Sequence, residues 1–78
     1  MIRVELFAAF AEYTGNRKLE LEYLDGMTCA QIWSMIVERF PKIGGILPLF
    51  AIDDEYVPAE TQIRDGQALL LFPPVSGG

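Results

Sequence analysis

Between Thr28 and Phe40 the sequence carries the start, the stripe and the stop of one helix, while most of the remaining chain shows strand patterns. Thr28-Cys29-Ala30-Gln31 is a capping box, in which the Thr28 hydroxyl and the Gln31 amide serve orphan backbone N–H groups. Met27 and Ile32 stand at the positions of a hydrophobic staple. Ile32, Trp33, Ile36, Val37 and Phe40 then recur on one helical face. Arg39 and Lys42 suit the negative helix end, and Pro41 discourages continuation. The pattern predicts a helix of about twelve residues. A chain with one substantial helix and several strands must pack that helix on one face of a sheet, which makes it an α+β protein.

The strands follow from alternation. Ile2, Val4 and Leu6 alternate with Arg3 and Glu5, and Leu19, Leu21 and Tyr23 alternate with Lys18, Glu20 and Glu22. Between these runs, Ala8 to Asn16 reads as a turn of helix inside an antiparallel hairpin, with Phe10 and Tyr13 as packing residues. After Gly44-Gly45 the chain is apolar from Leu47 to Ile52. The acidic run Asp53-Asp54-Glu55 makes a turn, and Tyr56-Val57 returns before Pro58 stops the strand. Asp65-Gly66 signals another turn. Ala68 to Phe72 is continuously apolar, the mark of a central strand covered on both faces. The expected order is β-β-α-β-β-β in a mixed sheet of about five strands. One helix covers only one face, so some of Leu69, Leu70 and Leu71 must emerge on the other. Which of them do depends on the pairing register. An apolar patch there would mark a partner surface, for which Phe7, Leu69 and Leu71 are the candidates.

Composition limits the chemistry. The chain has 78 residues, no histidine and one cysteine. That length is one domain, burying only about 60 % of its unfolded surface, and the 51 % apolar content supplies the core. Without histidine there is no Ser-His or Cys-His dyad. A single cysteine allows no internal disulfide and no Cys-cluster metal site. Asp53, Asp54 and Glu55 read as a solvated turn, because three consecutive carboxylates do not converge on a metal without further ligands. Cys29, in the first helical turn, reads as a packed small residue rather than an activated thiolate. Trp33 reads as core edge rather than binding hot spot. The net charge of −5 argues against a nucleic-acid partner and fits a basic patch on a protein. The longest uncharged run, Gly66 to Gly78, is too broken by proline and glycine to span a bilayer. The N-terminus lacks a signal-peptide layout, so a cytoplasmic location with Cys29 reduced is expected.

The C-terminal residues are the most informative. A domain over 1–72 is followed by a tail over 73–78, Pro73-Pro74-Val75-Ser76-Gly77-Gly78. The prolines favour a stiff, extended exit from the sheet. From Phe72 to Gly78 the maximum reach is roughly 20 Å at about 3.3 Å per residue. Two residues without side chains precede a carboxylate whose carbonyl carbon is sterically open. Such a group suits activation as an acyl adenylate and transfer to sulfur or to an amine.

The chain resembles the small, sulfur-carrying subunits of molybdopterin synthase, ubiquitin-like β-grasp proteins of the MoaD/ThiS type. The resemblance runs through Met1-Ile2-Arg3-Val4, Tyr13-Thr14-Gly15 and Ala51-Ile52-Asp53-Asp54-Glu55-Tyr56-Val57. It is most specific at Asp65-Gly66 followed by Leu71-Phe72-Pro73-Pro74-Val75-Ser76-Gly77-Gly78. The chain departs from the usual pattern at Asp53-Asp54, where an Asn-Gly-like turn is common, at Ala11, and at Gln67-Ala68-Leu69. The resemblance implies that an E1-like activating enzyme uses ATP to adenylate Gly78, which then becomes a thiocarboxylate. It further implies that Pro73, Pro74, Val75, Ser76 and Gly77 enter a pocket of the large synthase subunit. There sulfur passes to a pterin precursor, within a heterotetramer. The carrier would bind no cofactor or metal and would not be an enzyme alone. Carriers for thiamin, cysteine or tRNA thiolation, protein modifiers, and a non-reactive binding module remain the alternatives.

Overall fold

The computed structural model describes residues 1–74. Strand β1 (Ile2–Leu6) is followed by a short helix α1 (Ala9–Thr14), strand β2 (Lys18–Leu21) and the main helix α2 (Cys29–Arg39). A 3-10 turn (Pro41–Ile43) leads to β3 (Leu49–Ile52), β4 (Glu55–Val57) and β5 (Ala68–Phe72). The sheet order is β2-β1-β5-β3-β4, with β5 parallel to β1 and antiparallel to β3. The arrangement is a β-grasp: five mixed strands around one main helix, in the order expected from the sequence. Strand β3 begins at Leu49 rather than Leu47, since Pro48 has no N–H for the ladder.

Helix α2 starts where the capping box places it. The Thr28 hydroxyl accepts from Gln31 N–H at 3.2 Å, and the Gln31 side chain accepts from Thr28 N–H at 2.9 Å. The two remaining orphan donors find partners in the segment leading to β5. Cys29 N–H donates to the Thr61 carbonyl and Ala30 N–H to that of Ala59, each at 2.9 Å. Every N–H of the first turn is therefore satisfied, and the same bonds tie the β4–β5 connection to the helix. Ile32 and Ile36 are fully buried, with Trp33, Val37 and Phe40 packed at the flanks. Their partners are Ile2, Val4 and Leu6 of β1, Leu19 and Leu21 of β2, Phe50 and Ile52 of β3, and Leu69 and Leu71 of β5.

One packing expectation is corrected. Phe10 is fully buried and tilts against Trp33 with ring centroids 5.1 Å apart, but Tyr13 is 57 % exposed. The inner side of α1 runs through Phe10, Ala11 and Thr14, which leaves Tyr13 roughly a quarter turn away toward solvent.

Two turns hold non-glycine residues at positive φ. Asp53 and Asp54, at φ 51° and 66°, form the two-residue β3–β4 connection, a type I′ geometry that Asn-Gly would adopt with less strain. Ala8 follows Phe7 at φ 53° and ψ −127°, and Phe10 N–H donates to the Phe7 carbonyl across it at 3.1 Å. That is the first central position of a type II′ turn, which favours glycine. Strain of this kind costs about 1–3 kcal/mol, against about 0.5–1 kcal/mol of extra chain entropy for glycine. Ala8→Gly should therefore stabilise the fold by about 1 kcal/mol, seen as a rise of about 4–8 °C in thermal melting for a domain this small.

Candidate functional site

With α2 on one face, residue parity along each strand decides what the other face displays. Leu69 pairs with Val4 and Ile52, and Leu71 with Leu6 and Phe50, all on the helix side. Leu70 pairs with Glu5 and Ala51, and Phe72 with Leu49, on the open side. Leu69 and Leu71 are each 0 % exposed, so the expectation that they form a partner surface is corrected: they are core. Leu70 and Phe72 take their place, half-buried on the uncovered face, and Phe7 lies beside Phe72 on that face.

The open face has two unlike halves. Over β1 and β2 it is charged, with Arg3 opposite Glu20 and Glu5 opposite Lys18. Over β5, β3 and β4 it is apolar, built from Ala68, Leu70, Phe72, Leu49, Ala51 and Tyr56. Leu49 is 42 % and Tyr56 70 % exposed. Phe7, at the end of β1, stacks on Phe72 with centroids 4.5 Å apart and rings 14° from parallel. Tyr56 meets the same ring edge-on at 6.1 Å. The patch thus gathers around the last residue of β5. Beyond it Pro73 is half-buried and Pro74 exposed. Val75, Ser76, Gly77 and Gly78, to which the tail and its carboxylate were assigned, lie outside the described residues.

Sequence reasoning missed Leu49 and Tyr56. The signal was present in Asp53-Asp54: a two-residue turn fixes Ile52 opposite Glu55 and Ala51 opposite Tyr56, and hence Tyr56 on the same face as Leu70. It needed one buried position in β3 to be known first.

The other singled-out residues lie elsewhere. Cys29 is fully enclosed, and burial pushes its thiol pKa up, outweighing the backbone hydrogen bond that favours thiolate. Asp53, Asp54 and Glu55 are exposed, and the Asp53 carboxylate accepts from the Gln67 amide at 3.2 Å. Among the described residues, no group of three or more acidic or cysteine side chains is placed to hold a metal ion. No helix among them is long and apolar enough to cross a membrane.

The division of β5 between core and open face predicts unequal costs. Leu69→Ala should destabilise by about 2–5 kcal/mol through cavity formation. Leu70→Ser should cost roughly 1 kcal/mol, since its side chain is only partly removed from water. Chemical denaturation of the two variants checks the difference.

Comparison with known proteins places this geometry. Residues 4–78 match the model of the ThiS family. The chain is 30 % identical over 79 residues to the molybdopterin synthase sulfur carrier subunit of Arabidopsis thaliana, covering 99 % of this chain and 82 % of that protein. It is 28 % identical over 81 residues to the Chlamydomonas reinhardtii protein of the same name, covering 99 % and 98 % respectively. Among solved structures, SAMP1 from Haloferax volcanii superposes with a TM-score of 0.82 at 26 % identity, over 99 % of this chain and 98 % of that one. With the family match running from the first strand through the last residue, the chain belongs to the ThiS family.

Proposed function

We propose that this chain is a sulfur carrier for molybdopterin synthesis, with the carboxylate of Gly78 as its reactive group. The observation that carries the reading is the setting of β5. A central strand, buried on one side, ends at Phe72 inside the apolar half of the open face and passes directly into Pro73-Pro74. The sequence then continues as Val75-Ser76-Gly77-Gly78. Family membership and the names of the plant and algal relatives support the same role.

The chemistry asks little of the carrier. A partner of the E1 type joins the Gly78 carboxylate to the α-phosphate of ATP, releasing pyrophosphate. A sulfide-level nucleophile, hydrosulfide in the simplest case, then attacks the acyl carbon and AMP departs, leaving a thiocarboxylate. In the large synthase subunit that sulfur displaces an oxygen substituent of the pterin precursor to give an acyl thioester, and water then cleaves the acyl C–S bond, leaving sulfur on the pterin and restoring the carboxylate. The carrier itself supplies docking: the apolar patch around Phe72 excludes water, and the acidic surface selects partners with basic rims. A thiocarboxylate is already anionic and nucleophilic at neutral pH, so a chain without histidine is adequate.

Co-expression with the activating enzyme and a sulfur source should increase the intact mass by the difference between sulfur and oxygen, localised to the C-terminal peptide. Deletion of Gly77-Gly78 should abolish that change while leaving the thermal melt intact. An unmodified full-length chain, under conditions that modify a known carrier, would overturn the reading. A second reading, conjugation of Gly78 to lysines, is favoured by the likeness to SAMP1, which is described as a small archaeal modifier protein. It predicts a ladder of lysine conjugates on denaturing gels. Carriage without conjugation leaves that ladder absent.

A further inference from the structure

We propose that Phe7 and Tyr56 are positioning residues that bracket Phe72 and so set the direction in which the chain leaves the sheet. The inference rests on the carrier reading, because direction matters only if the C-terminal group must be delivered to a partner's reaction centre.

Backbone restraint runs out at this point. The ladder between β1 and β5 ends at Leu6 opposite Leu71, extended only by Phe7 N–H donating to the Leu71 carbonyl at 3.2 Å. The ladder between β3 and β5 ends at Leu49 opposite Phe72. Pro73 and Pro74 have no N–H, so neither can extend a ladder by donating to a neighbouring strand. Phe72 is therefore the last residue held by a ladder, on its β3 side, and the chain leaves the sheet from a point fixed by that pairing and by what holds the Phe72 side chain.

Two rings hold it, and they arrive from opposite directions in the sheet. Phe7 comes from the β1 side and stacks nearly parallel at 4.5 Å. Tyr56 comes from β4, two strands away on the other side, and presents its edge at 6.1 Å. The strand between them makes room: Ala51 stands opposite Tyr56 on the open face and has no side chain beyond Cβ. Offset-stacked and edge-on contacts are the two geometries that the ring quadrupole favours, so the bracket restrains Phe72 by orientation as well as by contact.

Strained backbone lies within two residues of each arm. Phe7 precedes Ala8, at φ 53° and ψ −127°, and Tyr56 follows Asp53 and Asp54, both at positive φ. Tyr56, at 70 % exposed, adds little buried area to the core, which makes its contact with Phe72 the main structural use of the ring.

The test uses Tyr56→Ala and Tyr56→Phe in the full chain. Two measurements are made: the order parameter of the Phe72 backbone amide in the free protein, and steady-state adenylation with the carrier as varied substrate. The bracket predicts a lower Phe72 order parameter in Y56A. It also predicts a fall in kcat of roughly two- to tenfold, the size of one aromatic contact, whatever change in KM follows from the loss of exposed apolar surface. Y56F, which keeps the ring, should match wild type in both. A rise in KM at unchanged kcat would make Tyr56 a docking contact only and overturn the proposal, as would an unchanged Phe72 order parameter. If the wild-type chain accepts no adenylate, the carrier reading fails. The bracket is then judged on the Phe72 amide alone.

Discussion

The structure depends on an inequality between the two faces of β5. This strand lies at the centre of the sheet, hydrogen-bonded on both sides, yet only one main helix is available to cover it. Leu69 and Leu71 take the covered side and are sealed. Leu70 and Phe72 are left on the other, where no element of the described chain packs over them. Burying a leucine stabilises by about 1.5–3 kcal/mol, so the uncovered pair represents stability left unused by the isolated chain. A protein partner can recover it on docking.

The helix is held in register with that strand by its own N-terminus. The Ala59 and Thr61 carbonyls accept the first-turn donors of α2, and Ile63 N–H donates to the Met27 carbonyl at 2.9 Å. The irregular connection before β5 is thereby fixed at the helix start, and Ile63 is buried within the core. Capping, usually a local effect of about 1 kcal/mol, here also tethers the connection that delivers the central strand.

What was legible in the sequence was whatever carried its own local code. The capping box, the stripe from Ile32 to Phe40 and the stop at Pro41 located α2 to within a residue at each end. The uninterrupted apolar run of Ala68 to Phe72 identified the central strand. Facing was another matter. A continuous run has no alternation to read, so Leu69, Leu70 and Leu71 looked equivalent until pairing with Val4 and Ile52 separated them. Tyr56 was hidden for a related reason: a returning strand of three residues has too little alternation to show its face, and only the two-residue turn brings Tyr56 back over Ala51 toward Phe72. Tyr13 failed the other way, because a six-residue helix buries too narrow a strip to enclose both of its aromatic residues.

The enclosure of Cys29 has a chemical consequence. A protein proposed to carry sulfur at its C-terminus would pass through an acyl adenylate, which reacts with thiolates. The one thiol in the sequence sits in the core, and burial disfavours its anionic form. It is withdrawn both as an acceptor of acyl groups and as a partner for mixed disulfides. The proposed thiocarboxylate would then be the sole sulfur nucleophile on its own chain. Chemoselectivity, usually the task of an active site, would here follow from the packing of a small side chain.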